Sequence, residues 1–136
     1  MRRILLVIGL IALVAAGGWA FTSWNSYQTN LKAAQFNEDI DNLFDALQRY
    51  KEKVGSYPIG NNAEIVRSLL GNNPKNLIIL IGRKKDLNSK GEIVDPWGTP
   101  LRIYFAGEGI LVRSAGPNKR FDDSTVQNPD DYYRSN

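Results

Sequence analysis

The residues best suited to chemistry lie near the end of the chain: Asn118, the pair Asp122-Asp123 and the pair Asp130-Asp131. Clustered carboxylate and amide oxygens are ligands for a hard cation such as Ca²⁺, which also accepts backbone carbonyls. The spacing is not that of an EF-hand loop, so a solvated acidic tail stands as the alternative. Few other chemistries are open. The 136-residue sequence contains no histidine and no cysteine. That removes a His general base, a thiol nucleophile, a His or Cys metal site and any disulfide. No pair of groups suggests a nucleophile beside its base, so the sequence points away from an enzyme. The net charge of +3 is small and dispersed. Its densest basic run, Arg83-Lys84-Lys85, is followed at once by Asp86. Such a run reads as a solvated loop rather than a nucleic-acid patch, and no nucleic-acid partner is expected.

The acidic segment from Ser114 to Asn136 has almost no aliphatic residues. It cannot order itself by burial, so it is either disordered or held by something else, and a cation is one candidate. The elements before it are better marked. Leu101–Phe105 and Ile110–Arg113 read as two strands around Gly107-Glu108-Gly109, a hairpin signal. Alternation puts Leu101, Ile103 and Phe105 on one face, with Ile110 and Val112. The hairpin follows Asp95-Pro96-Trp97-Gly98-Thr99-Pro100. The two prolines exclude a regular ladder and push Asp95 and Thr99 toward extended backbone. Trp97 in this turn can fold back as an apolar lid on a small sheet.

Upstream, the spacing predicts an amphipathic helix from about Ser26 to Val54. Ile40, Leu43, Phe44, Leu47, Tyr50 and Val54 share one face, opposite Glu38, Asp39, Asp41, Asp45, Gln48, Arg49 and Glu52. Asp45 and Arg49 are placed to pair at i, i+4. Gly55 and Tyr57-Pro58 end the helix. Asn61-Asn62 can cap a second, short helix over Ala63–Leu70, with Ile65, Val66, Leu69 and Leu70 turned inward. Leu77–Ile81 is a continuous apolar run, expected as a buried strand or extended segment. At the start of the chain, two arginines precede an uncharged run from Ile4 to Phe21. As a helix it would be roughly 27 Å long, close to the hydrocarbon thickness of a bilayer. Residues 1–25 are therefore expected to be an N-terminal membrane anchor or signal segment, and residues 26–136 a domain beyond the membrane. Trp19 and Trp24 fit an interfacial aromatic belt. Gly17-Gly18 and the polar stretch 22–30 are places where an otherwise continuous helix could bend.

Together these motifs carry a resemblance. A helix ending Leu47-Gln48-Arg49-Tyr50 is followed by Gly55-Ser56-Tyr57-Pro58 and then by Asp95-Pro96-Trp97-Gly98-Thr99-Pro100. Arg113-Ser114-Ala115-Gly116-Pro117-Asn118 and a paired aspartate close the series. In this order, over about residues 40 to 123, the chain resembles the pseudopilins of the type II secretion system, closest to the major pseudopilin class (general secretion protein G). The resemblance implies an α+β, pilin-like fold: a long N-terminal helix packed on a small antiparallel β-sheet. It implies a structural subunit of a pseudopilus in protein export, single-pass in the bacterial inner membrane with its globular domain in the periplasm. Self-association, and contacts with other pseudopilins, would run through the N-terminal helix. It also implies calcium in the C-terminal loop. Asn118 stands where the family often has Asp, Asp122 and Asp123 match the paired acids, and Asp130 and Asp131 are a second candidate pair. The start of the chain departs from the family, because Gly9 leads into Leu10-Ile11-Ala12-Leu13-Val14 with no glutamate after it. The alternative is a tethered or secreted periplasmic binding module that uses a pilin-like fold without forming a filament.

Overall fold

The computed structural model describes residues 2–80, 86–123, 125 and 129–136, without the side chains of residues 2–13 and 16. The chain divides into two compact units, Met1–Lys32 and Ala33–Asn136. Helix α1 (Arg2–Val54) is assigned without a break through Gly17, Gly18 and the polar stretch 22–30. Among the described side chains of the first unit, Val14, Trp19, Phe21, Trp24, Tyr27 and Leu31 are all exposed. The Trp24 and Tyr27 rings meet at 6.4 Å. Much of the expected anchor, residues 1–25, falls outside the described side chains. Among the described residues no helix is long and apolar enough to cross a membrane.

The second unit is built on the apolar stripe of α1. Phe36, Ile40, Leu43, Ala46, Leu47 and Tyr50 are buried, while Phe44 and Val54 pack at the core's edge. Fully burying a side chain such as Leu47 contributes about 1.5–3 kcal/mol. Gly55, at φ +106°, ends the helix in the left-handed conformation that glycine tolerates best. Asp45 and Arg49, placed to pair, form no ion pair. The polar i, i+4 contacts of this stretch are Gln35 with Asp39 at 3.3 Å and Gln48 with Glu52 at 3.5 Å.

Helix α2 (Asn62–Leu69) starts in a capping box, one residue earlier than expected. Asn61 Oδ1 accepts from Glu64 N at 3.1 Å, and Glu64 Oε2 accepts from Asn61 N at 2.7 Å. Ile65, Val66 and Leu69 are buried, but Leu70 is exposed because it lies past the helix end. Asn62 takes an unexpected role. Its amide donates to the carbonyls of Ile93 and Leu101 at 2.9 and 2.8 Å and accepts from Ile93 N at 2.7 Å.

The run expected as a buried strand or extended segment forms no strand. Residues 77–80 have no regular pairing, Leu77 and Ile78 are exposed, and only Ile79 and Leu80 pack against the core. Asn73 shapes this segment, donating to the Ser68 and Leu77 carbonyls at 2.8 and 2.7 Å. The amides of Ile79 and Leu80 both turn to the Leu69 carbonyl. Ile81 lies outside the described residues.

Among the described residues the sheet has three antiparallel strands in the order β1 (Arg102–Ala106), β2 (Gly109–Ser114), β3 (Tyr132–Ser135). Ile103 pairs with Val112 and Phe105 with Ile110, so the expected inward face is the observed one. The architecture is α+β, a long helix with a small antiparallel sheet. The acidic tail, left open between disorder and an external tie, instead supplies β3. Tyr132 pairs with Ser114 in register and stacks on Trp97 at 5.1 Å and against Phe36 at 5.8 Å. Trp97 is a lid, as expected, and is only 8% exposed.

Candidate functional site

The Asp95–Pro100 turn anchors the loop that carries the acids. Asp95 is buried, and its Oδ1 accepts from Trp97 N and Thr99 N at 3.0 and 2.8 Å. Its Oδ2 accepts from the buried Ser114 hydroxyl at 2.7 Å, and Ser114 Oγ in turn accepts from Gly116 N at 3.0 Å. The turn therefore fixes the point where β2 ends and the acidic loop begins. Gly116 sits at φ +65°, and a Cβ there would meet the Asp130 carbonyl oxygen at 2.0 Å. The two ends of the loop approach this closely only because residue 116 has no side chain.

Within the loop, Asp122, Asp130 and Asp131 each offer an oxygen, all within 4.8 Å of one another. Oxygens on opposite sides of one Ca²⁺ lie roughly 4.6–5.2 Å apart, so these groups are within reach of a single ion. Asn118 orders the group. Its N–H donates to Asp130 Oδ2 at 2.9 Å and its amide donates to Asp122 Oδ2 at 3.1 Å. Asp122 N donates to Asp131 Oδ1 at 3.1 Å, and Asp130 N to Asp122 Oδ2 at 3.2 Å. Among the described residues, Asp130 Oδ1 is buried and meets no hydrogen-bond partner. An orphaned carboxylate oxygen among other oxygen donors fits a hard cation.

Of the five residues named from sequence, Asp122, Asp130 and Asp131 converge and Asn118 stands beside them as a donor. Asp123 points elsewhere. Thr125 donates to it through both its hydroxyl and its backbone N–H, which holds the Asp123 carboxyl below its usual range.

Sequence reasoning missed Arg113. It sits near the end of β2, its Nε pairs with Asp131, and its Nη2 donates to the Asp122 carbonyl. The Asp131 side chain is fully buried in this pair. Burial works against the guanidinium charge, but the hydrogen bond and charge of Asp131 outweigh it and raise the Arg113 pKa. Phe121 lies over Arg102 at 3.9 Å and near Arg113 at 5.3 Å. No spacing rule links residue 113 to residue 131, so only the alternation along β2 hinted at where Arg113 would face.

A separate cavity of about 380 Å³ lies between α1 and a wall that includes Ile79, Leu80, Asp86, Ile93 and Leu101. Phe36, Leu43 and Leu101 are among its lining residues, together with Asp45 and Arg49. No family model, curated protein or solved structure matches the chain.

Proposed function

We propose that the chain is a structural subunit of a type II secretion pseudopilus, or of a related membrane-tethered assembly in protein export. One observation carries this reading: the apolar side chains exposed along α1 in the first unit. Trp19, Phe21 and Trp24 are 75%, 73% and 65% exposed, and Tyr27 and Leu31 continue the series. Single exposed hydrophobes are ordinary, but a concentration of aromatic rings on a helix without a core suits a lipid interface or another copy's helix. The α+β layout and the ordered Tyr-Pro, Asp-Pro-Trp-Gly and Ser-Ala-Gly-Pro-Asn motifs support the same reading.

On this reading residues 1–25 sit in a bacterial inner membrane and the Ala33–Asn136 unit is periplasmic. The helix carries self-association and contacts with other pseudopilins. The chain turns over no substrate and binds no nucleic acid. Ca²⁺ is the cation assigned to Asp122, Asp130 and Asp131.

A second reading, a tethered or secreted binding module, is favoured by the 380 Å³ cavity, which lies in the size range of small-ligand sites. The sequence has no cysteine, so a single Leu31→Cys variant reports helix proximity without background. Oxidation in native membranes is expected to give disulfide-linked dimers of a membrane-retained chain. Recovery of only soluble monomer, cut within residues 1–25, would leave the binding module standing instead.

A further inference from the structure

We draw no further inference here: the strongest candidate, the outward face of the sheet where exposed Tyr104 stands opposite exposed Leu111 and exposed Tyr133 stands opposite Arg113, is an unpartnered apolar face, and nothing in the structure shows what covers it.

Discussion

Asp95 and Asp123 show how differently two aspartates can be used in one small fold. Asp95 is buried and its carboxylate accepts from two turn amides and the Ser114 hydroxyl, so its charge is met by donors from both ends of the core. Asp123 is exposed, and among the described residues its carboxylate accepts from the hydroxyl and the backbone N–H of Thr125. Its depressed pKa means that the folded state favours the ionised form. The associated stability is complete above the unfolded value, about 3.9, and is lost as pH falls through the folded value. Solvent screens a contact this exposed, so the readout is the titration rather than the melting temperature. In Thr125→Ala the hydroxyl bond is lost and the backbone N–H bond stays, so the Asp123 carboxyl carbon followed by NMR should titrate at a higher pH than in wild type. A midpoint that does not move would show that the Thr125 hydroxyl is not what holds Asp123 down. Asp95 was legible from sequence as part of a turn, but its tie to Ser114 spans 19 residues and has no local mark.

At the scale of elements, legibility followed periodicity. The stripe Ile40, Leu43, Leu47, Tyr50 keeps one phase over several turns, and the hairpin residues alternate cleanly, so the residue pattern by itself marks both. The run at 77–81 has no phase at all, since five apolar residues in succession fit a buried strand and a loop equally well. Asn73 decides the matter by turning its amide into the loop. Strand β3 was invisible because it has only four residues and no aliphatic side chain. Its place depends on partners far away in sequence: Trp97 and Phe36 around Tyr132, Arg113 at Asp131, and Asn136, whose Oδ1 accepts from Ile110 N at 2.7 Å. The Tyr132 ring is the apolar anchor of that strand; it is partly buried, so its loss should cost less than the roughly 3–5 kcal/mol of a fully buried aromatic truncation. Tyr132→Ala is therefore expected to lower the urea midpoint and to shift Trp97 emission to the red, read in a background with Trp19 and Trp24 replaced by Phe. A red shift without loss of stability would mean that β3 covers Trp97 but does not hold the sheet.

For the whole molecule, stability and assembly should be separable, because the side chains assigned to them are different. The core of the second unit draws on Phe36 through Tyr50, α2 and the sheet, whereas Trp19, Phe21 and Trp24 are exposed on the first unit. Substituting those three residues by serine removes no buried contact, and serine's helix propensity is close to that of Trp and Phe. Exposed substitutions of this kind stay within roughly ±0.5 kcal/mol each, so the melting temperature of the Ala33–Asn136 unit should move by only a few degrees. Membrane retention should respond quite differently. If each ring is covered by lipid or by another helix, it contributes about 1.5 kcal/mol or more, and three together change a partition coefficient by at least about 1,000-fold. The measurement is the distribution of the triple variant between membrane and soluble fractions, together with its disulfide-linked yield in the Leu31→Cys background. Wild-type retention and cross-linking in a normally folded triple variant would show that these rings serve neither lipid nor neighbour. The exposed run on α1 would then no longer support an assembly role.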